Sequence, residues 1–389
     1  MCQSIAHLKS TRDTLIRMKI GLVGGGTGGH FYPLIAVAHE LNAVAEKPEL
    51  FYFGPSPYDK EMLKTYNISY QYCPAGKIRR YFSIQNFFDI FRNFFGIFVA
   101  VWKLYVIYPD VIFSKGGFTS VPVLTAAKFL RIPVVIHESD AVPGRANKLA
   151  MKQARYIGIA YDDAAQFFPA EKTALVGIPI RQEVKNVSAD PFTQLGIPND
   201  KPLIYITGGS SGAERLNDIV FNSLKQLLPN YRIFHQTGTA NVEDLRLLVQ
   251  SLYKDSPDLG NYYIEGNVPA QTVAALMSAA SLVITRAGST TLFEIAYHGK
   301  PAIIIPIPED VSRDQRTNAY AYARSGAASV IEEHNMTTSL FVQEINTIIN
   351  DQNRRKTMSD AAKTMATEDA AKKISDLLIS IGIEHAPKK

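Results

Sequence analysis

Cysteine is scarce in this 389-residue sequence, and long apolar segments free of charge are missing. Cys2 and Cys73 are the only cysteines, which excludes a disulfide framework and a cysteine-based metal cluster and indicates a reducing compartment. In a Phe-rich region the longest uncharged stretch, residues 93–102, is shorter than the about 20 apolar residues that cross a bilayer. We therefore predict no transmembrane helix. Residues 1–18 lack the apolar segment of a secretory signal, so we expect an extension there, or a true start at Met18.

The composition does not mark the chain as disordered or as a nucleic-acid-binding protein. Hydrophobic residues make up 46% and charged residues 20%, which is ordinary for a globular protein of two or three domains. The formal net charge of +5 is too small to indicate nucleic acid as a partner. It is compatible with an anionic membrane surface or with a phosphorylated substrate.

Apolar strand-like runs alternate with helical segments in both halves of the chain. Because these runs are apolar throughout, they predict parallel sheets that are covered by helices on both faces, which is an α/β fold class. We predict strands at 19–23, 50–53, 69–73, 111–114, 134–137 and 156–160, and again at 203–207, 232–236, 282–285 and 302–306.

A cluster of prolines at 177–202 predicts a boundary between two domains. From residue 338 onward the pattern is helical to the end. We expect an extension at 1–18, an N-terminal domain at 19–180, a C-terminal domain at 181–365, and a last helix within 366–389 that packs back on the N-terminal domain.

Two glycine-rich turns, at 24–29 and 208–213, each follow a predicted strand and precede a helix. Glycine lets the backbone approach a ligand closely, and the N–H groups of a helix N-terminus bind phosphate. The first turn satisfies G-x-G-x-x-G, but a dinucleotide site also needs an acidic residue at the end of the second strand. Phe53, Gly54 and Pro55 stand there instead, so a dehydrogenase is disfavoured.

Candidate acid–base residues lie at the ends of predicted strands in the first half. His30 follows the first glycine turn, where a helix N-terminus favours a neutral imidazole that can accept a proton, or that merely caps the turn. Glu138 and Asp140 come at the end of the strand that contains His137. Either carboxylate can act as a general base or can hold a loop in place, and the spacing does not fit a metal site.

Three further segments at strand or helix ends offer polar groups to a ligand. Gly116 and Gly117 form a third candidate anion site, or an ordinary strand–helix turn. Glu294 lies about one turn into a helix and can accept two vicinal ribose hydroxyls. Gln315 and Asn318 open a later helix, where amides suit sugar hydroxyls and equally suit helix capping.

In combination these motifs resemble the MurG family, the peptidoglycan N-acetylglucosaminyltransferases of the GT-B fold. The resemblance runs in order from about residue 19 to the C-terminus, and the combination is far more specific than any one motif. It rests on Gly-Gly-Thr-Gly-Gly-His at 25–30, His137-Glu138 with Pro143-Gly144 and Asn147, Gly-Gly-Ser-x-Gly-Ala at 208–213 with Asn217, Arg286-x-Gly288 with Glu294, and Gln315 with Asn318.

The resemblance implies two Rossmann-like domains that face each other across a cleft. It implies an inverting transfer of N-acetylglucosamine from UDP-N-acetylglucosamine to undecaprenyl-linked lipid I, giving lipid II for peptidoglycan. No cofactor and no protein-bound metal is implied, because helix dipoles and backbone amides of the second domain offset the charge of the leaving UDP. The enzyme is implied to be peripheral, on the cytoplasmic face of the inner membrane.

Carried over residue by residue, the resemblance assigns roles to the motif positions of this chain. His30 is implied as the catalytic base, with Asp140 as the alternative, and the acceptor side is implied to comprise Thr27, Gly28, Gly29, Gly116, Gly117 and Glu138. On the donor side the implied contacts are Ser210 for the diphosphate, Glu294 for the ribose, backbone near Val268 for the uracil, Arg181 as the arginine of an Asn-Pro-x-Arg run, and Asn217, Ser289, Gln315 and Asn318 for the sugar.

This chain departs from the family pattern at several positions. The family's His-Glu-Gln-Asn is His-Glu-Ser-Asp at 137–140, and an ionised Asp140 can only accept hydrogen bonds. Asp140 would then meet the acetamido N–H, act as a base toward the acceptor hydroxyl, or favour another sugar. Ser211 replaces the usual Gln, Ile178 an Asn, and Asp314 a residue that is more often Gln or His.

Seven aromatic residues between 87 and 102 fall at largely helical spacing, shortly after Lys77, Arg79 and Arg80. We expect about half of the rings to pack against the sheet and the others to form a membrane-docking face. Such a face favours a lipid acceptor over the alternatives. These are another GT-B enzyme, either a glycolipid glycosyltransferase or a UDP-N-acetylglucosamine 2-epimerase, and a non-catalytic sugar-nucleotide-binding protein.

Overall fold

The computed structural model describes residues 18–77, 84–209, 213–308, 313–367 and 369–385. The first half of the chain contains strands β1 (Lys19–Val23), β2 (Glu49–Gly54), β3 (Ile68–Tyr72), β4 (Val111–Ser114), β5 (Val134–Glu138), β6 (Tyr156–Ile159) and β7 (Thr173–Leu175). Its helices are α1 (Gly28–Ala43), α2 (Lys60–Thr65), α3 (Ile84–Ile107), α4 (Val121–Phe129) and α5 (Arg145–Ala150). The strands form one sheet in the order β3-β2-β1-β4-β5-β6-β7, and every pair is parallel. We call this part of the molecule the N-terminal domain.

The second half begins with helices α6 (Gln182–Lys185) and α7 (Pro191–Leu195). It contains strands β8 (Leu203–Thr207), β9 (Arg232–Gln236), β10 (Tyr262–Glu265), β11 (Leu282–Thr285), β12 (Ala302–Ile304) and β13 (Ala328–Val330). Its further helices are α8 (Glu214–Leu227), α9 (Val242–Tyr253), α10 (Ala270–Ala279), α11 (Ser289–Tyr297), α12 (Arg313–Ala323), α13 (Thr338–Asn350), α14 (Gln352–Met365) and α15 (Ala370–His385). The strands form a second parallel sheet in the order β10-β9-β8-β11-β12-β13, and we call this part the C-terminal domain.

Both faces of each sheet are buried, which explains why the central strands are apolar at every position. In β1, Ile20 and Leu22 join the core on one face, whereas Val23 joins the core on the other. In β8, Ile204 and Tyr205 divide between the two faces of the second sheet in the same way. Successive side chains of a strand point to opposite faces, so a strand that is covered on both sides needs apolar residues throughout. The α/β class with two parallel sheets is confirmed.

The sequence analysis missed three strands, β7, β10 and β13, and all three lie at the edges of their sheets. An edge strand has a neighbour on one side only and is less deeply buried, so its sequence need not be apolar. The three-residue strand β7 has a half-buried first residue and two exposed ones. Short strands with such mixed burial lack the pattern on which the other strands were predicted.

The last helix, α15, packs on the N-terminal sheet although it follows the C-terminal domain in the chain. Ile374, Leu378 and Ile381 share a core with Ile20 and Leu22 of β1. The buried side chains recur at three- and four-residue intervals, so a single stripe of the helix faces the sheet. The chain therefore crosses between the domains twice, once before β8 and once after α14.

Helix α3 shows its aromatic residues to solvent. All seven rings, those of Phe87, Phe88, Phe91, Phe94, Phe95, Phe98 and Trp102, are between 59% and 69% exposed. The side of the helix that faces the protein carries Gly96, Ala100 and Leu104, spaced four residues apart. A Cβ on Gly96 would lie 2.0 Å from the carbonyl oxygen of Pro74, so only glycine permits this approach. The expectation that half of the rings pack against the sheet is wrong, because small residues provide that contact instead.

By length and composition, α3 could cross a membrane. Residues Phe87–Ile107 contain a window with a mean hydropathy of 1.6, and 17% of that window is buried. The prediction that no segment qualifies was too strict, because Arg92 and Lys103 interrupt the apolar run without lowering its average hydropathy enough. Lys103 Nζ donates a hydrogen bond of 3.0 Å to Gln71 Oε1, and Asn93 Nδ2 donates one of 3.0 Å to the carbonyl of Gly76. Both bonds attach the helix to the N-terminal domain.

Candidate active site

The candidate site lies where the carboxyl ends of the strands of the two sheets face each other. In parallel α/β sheets ligands bind at this edge, in the loops between strands and helices. Thr290 Oγ1 of the C-terminal domain lies 3.5 Å from the carbonyl oxygen of Gly29 in the N-terminal domain. Residues that are about 260 positions apart in sequence thus meet across a cleft.

His30 lies in the first turn of α1, which begins at Gly28 and not at residue 33 as the sequence suggested. Its Nδ1 shares a hydrogen bond of 2.8 Å with Thr27 Oγ1, and a Cβ on Gly117 would lie 3.5 Å from its Nε2. Burial lowers the pKa of His30, Asp140 acts to raise it, and Lys115 lowers it further. A neutral ring that donates from Nδ1 to Thr27 leaves a lone pair on Nε2, beside the glycine loop at 116–117.

Asp140 connects the two domains. Its Oδ1 accepts a hydrogen bond of 2.7 Å from Ser289 Oγ and one of 2.8 Å from Asn318 Nδ2. The Asn318 side chain also accepts a hydrogen bond of 2.9 Å from the backbone N–H of Ala141. Ser289 is the first residue of α11, so a carboxylate lies at the positive end of that helix. Three residues that the sequence analysis selected separately are thereby brought to one point.

Glu138 makes its hydrogen bonds within its own loop. The carboxylate accepts hydrogen bonds from the backbone N–H groups of Asp140 and Gly144 and from Asn147 Nδ2, at 2.9, 3.0 and 2.9 Å. Burial raises the pKa of Glu138 to about 7, and Asp140 raises it further, while these hydrogen bonds oppose the shift. Of its two possible roles, the geometry supports holding the loop in place.

The sequence analysis missed Lys115, which the structure places in the middle of the N-terminal part of the site. It follows β4 directly and is 2% exposed. Its Nζ is hydrogen-bonded to His137 Nδ1 and to Ser139 Oγ. Burial lowers the pKa of Lys115 to about 7, against the effect of Glu138 and Asp140. A single charged residue between a four-residue buried strand and a Gly-Gly turn was the available signal.

The loop after Lys115 presents buried polar atoms without partners. Gly116 and Gly117 both have φ of +79°, a conformation that favours glycine. Within the described part of the chain, Thr119 Oγ1 and Asn147 Oδ1 are buried and make no hydrogen bond. Buried polar atoms are nearly always paired, so a bound ligand or water is the expected partner of both.

Arg181 and Glu294 form a second contact between the domains. Arg181 Nη2 lies 3.7 Å from Glu294 Oε1, and the guanidinium stacks 3.9 Å from the centroid of the Tyr32 ring. Both charged side chains are largely buried. Burial raises the pKa of Glu294, and the Arg181 charge opposes that shift. Arg181 thus comes from the segment between the domains and reaches the acid on α11.

The other predicted donor-side residues lie at different depths. Gln315 Oε1 is buried and has no partner among the described residues, and Val268 lies in the loop between β10 and α10. Asn217 lies below the surface, where its amide donates 3.1 Å to the carbonyl of Thr237 and accepts 3.1 Å from His235 Nε2. Its side chain is therefore committed to the protein interior. Ser210 lies outside the described residues.

Comparison with known proteins identifies the family. Residues 20–159 match the glycosyltransferase family 28 N-terminal domain, and residues 203–374 match the glycosyltransferase family 28 C-terminal domain. The chain belongs to glycosyltransferase family 28. The two matched segments contain β1 to β6 and β8 to β13, and with them every described loop that lines the cleft except the one that carries Arg181.

The most similar members of family 28 share one name, UDP-N-acetylglucosamine–N-acetylmuramyl-(pentapeptide) pyrophosphoryl-undecaprenol N-acetylglucosamine transferase. The protein from Treponema denticola is 34% identical over 375 residues, which cover 92% of this chain and 96% of that protein. The protein from Staphylococcus aureus is 35% identical and covers 84% of this chain and 90% of its own length. The predicted membership of the MurG family is confirmed.

Solved structures show the same two-domain architecture. MurG from Acinetobacter baumannii matches with a TM-score of 0.71 and 28% identity, and the match covers 94% of this chain and 99% of that structure. A UDP-GlcNAc 2-epimerase from Neisseria meningitidis matches with a TM-score of 0.68 at 15% identity, over 93% of this chain and 100% of that structure. At that identity the second match shows the fold alone. The GT-B fold class is confirmed.

Proposed function

We propose that this family 28 glycosyltransferase moves N-acetylglucosamine from UDP-N-acetylglucosamine to the muramoyl 4-hydroxyl of undecaprenyl-linked lipid I, giving lipid II in peptidoglycan synthesis. The observation that carries the proposal is the meeting of Asp140, Ser289 and Asn318 across the cleft, close to His30. A base on the N-terminal side and sugar-binding groups on the C-terminal side are what a transfer between two substrates needs.

The acceptor binds to the N-terminal side of the cleft. His30 Nε2 takes the proton from the attacking 4-hydroxyl, and Thr27 Oγ1 holds the ring in the tautomer that leaves Nε2 free. The backbone of Gly28, Gly29, Gly116 and Gly117 surrounds the acceptor diphosphate. Support comes from the positive φ angles of the 116–117 loop and from its unpartnered neighbours Thr119 and Asn147.

The donor binds to the C-terminal side. The turn at 208–213, with Ser210, and the N-terminus of α11 offer N–H groups to the diphosphate and offset the charge that develops on the leaving UDP. Glu294 accepts the ribose hydroxyls, backbone near Val268 contacts the uracil, and Arg181 orients Glu294 and adds positive charge. Gln315, Ser289 and Asn318 contact the sugar, while Asn217 supports the turn from below. Residues 19–180 form the acceptor domain and 181–365 the donor domain.

A donor panel tests this function. Purified protein is incubated with a lipid I analogue and with UDP-N-acetylglucosamine, UDP-glucose or UDP-N-acetylgalactosamine, and UDP release and the lipid product are measured. We expect turnover with UDP-N-acetylglucosamine and an altered donor profile in Asp140→Asn, because an amide can donate to the acetamido carbonyl. Absence of UDP release with N-acetylglucosamine would contradict the proposal. Conversion to a 2-epimer without acceptor would favour the epimerase, whose solved relatives share the fold.

We further propose that the protein is peripheral on the cytoplasmic face of the inner membrane, docked by the exposed aromatic side of α3. Support comes from the exposure of all seven rings. Ala100 and Leu104 pack in the core with Val23, so the helix is part of the domain and cannot enter the bilayer by itself without exposing that core. Aromatic rings on a helix that lies in the interface suit this type of binding.

Replacing Phe91, Phe94 and Phe98 by serine is expected to weaken binding to phosphatidylglycerol-containing vesicles by about 100-fold, since each ring loses its transfer into the interface. Co-sedimentation measures the binding. The rings are exposed, so the melting temperature is expected to stay unchanged. Serine at Leu247 and Leu252, which are exposed on α9, is the matched control and should leave vesicle binding intact. Equal binding by all three proteins would refute docking through α3.

A further inference from the structure

A buried lysine stands where the loops at the ends of β4 and β5 meet. His137 Nε2 lies 2.7 Å from the carbonyl oxygen of Gly177, and a carbonyl can only accept. The neutral ring therefore carries its proton on Nε2, which leaves Nδ1 as an acceptor for Lys115 Nζ. A second N–H of the lysine is donated to Ser139 Oγ. Lys115 thus joins the strand end at His137 to the turn at 137–140.

Every charged group that faces this lysine belongs to the site. Glu138 and Asp140 favour its charged form. Its positive charge in turn lowers the pKa of both His137 and His30. From the C-terminal domain only uncharged donors, Ser289 and Asn318, hydrogen-bond to Asp140 among the described residues. Lys115 is the one cation that acts on His30 within this described group.

We propose that Lys115 is a positioning residue of the transfer reaction, which holds the 137–140 turn and balances the negative charge of Asp140. The inference rests on the proposed function for its catalytic meaning, although the contacts themselves do not depend on it. Where the family has Gln and Asn, this chain has Ser139 and Asp140. The short Ser139 side chain is bonded to the ammonium group, and Asp140 brings the charge that the ammonium group balances.

The balance has two consequences for the site. Asp140 stays ionised and accepts both hydrogen bonds from the C-terminal domain, which a protonated or displaced carboxyl would lose in part. His30 also stays neutral nearer to neutral pH, because the lysine opposes the attraction of the Asp140 charge for a proton. Removing the cation should raise the pKa of His30, and removing the anion should lower it.

A double-mutant cycle on the full chain tests the charge balance independently of activity. Lys115→Met is expected to lower the melting temperature by at least about 6 °C, because two carboxylates lose their buried counter-charge. Lys115→Met combined with Asp140→Asn is expected to recover most of that loss, and Lys115→Arg to retain part of it. If only the double variant gives soluble protein, that result supports the pairing. A double variant no more stable than Lys115→Met would overturn it.

The pKa of His30, followed by NMR and assigned by the loss of its signal in His30→Asn, is the second readout. We expect it to rise by about one unit in Lys115→Met, to fall in Asp140→Asn, and to return near its starting value in the double variant. In kcat/KM the acid limb should move to higher pH in Lys115→Met, with a loss of about 10-fold at neutral pH and little change in UDP affinity. A merely structural lysine would lower activity equally at every pH.

Lys300→Met is the matched control, because Lys300 is also largely buried and donates 2.7 Å to the carbonyl of Ser278, in the C-terminal domain away from the cleft. It should leave the His30 pKa and the pH profile unchanged. An unshifted His30 pKa in Lys115→Met overturns the inference, even if the enzyme works as proposed. Failure of the unchanged protein to transfer N-acetylglucosamine overturns the proposed function and leaves the cycle and the NMR result to decide the inference.

Discussion

Replacing His30 with alanine is expected to lower kcat by about 10²- to 10⁴-fold while UDP affinity stays within about twofold, as for loss of a general base. The reason is geometric. The ring is oriented by Thr27 at 2.8 Å, and its Nε2 lies beside the glycine loop at 116–117. Its lowered pKa keeps the base form present at neutral pH and below, so the acid limb of kcat/KM should lie below the ordinary histidine pKa of 6.5.

His39, on the same helix and near Tyr66, provides the control. His39→Ala should change kcat little, because that ring lies two turns further along α1, away from the cleft. Steady-state kinetics with a lipid I analogue give kcat, and calorimetry gives the UDP affinity. Equal losses of turnover and of UDP binding in His30→Ala would show that the ring shapes the cleft and does not act on a proton. In that case Asp140, the alternative base, becomes the residue to test.

Replacing Glu294 with alanine is expected to raise the Kd for UDP at least about 100-fold, since two hydrogen bonds to a charged acceptor are lost. The same change leaves the Arg181 guanidinium largely buried without its acid partner. We therefore also expect the free energy of unfolding to fall by about 3 kcal/mol. The N–O distance of 3.7 Å places this loss at the low end of the range for buried pairs.

Glu344→Ala separates the two effects. Glu344 accepts a hydrogen bond of 2.6 Å from Arg354 on the neighbouring helix, away from the cleft, so its loss should leave UDP affinity unchanged. Glu294→Gln keeps an acceptor and the shape of the side chain, and should bind UDP better than Glu294→Ala does. Calorimetry with UDP and chemical unfolding measure the two quantities. Unchanged UDP affinity in Glu294→Ala would remove the residue from the ribose site.

Much of the fold could be predicted from local patterns. The ten predicted strands are present within one or two residues of their predicted bounds, because strands buried on both faces are apolar along their whole length. The start of α1 was placed too late, since Pro33 was taken as a first-turn residue although it lies in the second turn. Proline lacks an N–H that this position of the helix can spare at small cost.

The candidate site divides differently. Glycine turns and polar residues at strand ends could be found from the sequence, since their spacing is local. The role of Lys115 could not, because its partners His137 and Ser139 lie more than 20 residues away. The commitment of Asn217 to His235 was equally hidden, since a helix pattern does not tell which polar residue faces inward.

The sequence alone determined the fold class, the order of the motifs and the membership of the family, because those depend on short-range periodicity and on residue types at fixed spacing. The tertiary structure alone decided that Asp140 meets Ser289 and Asn318, that Arg181 reaches Glu294, and that the aromatic rings of α3 face outward. The physical reason is that these contacts join residues distant in sequence, or depend on a close helix approach such as that at Gly96. Only the packing of the two sheets and their helices fixes such distances.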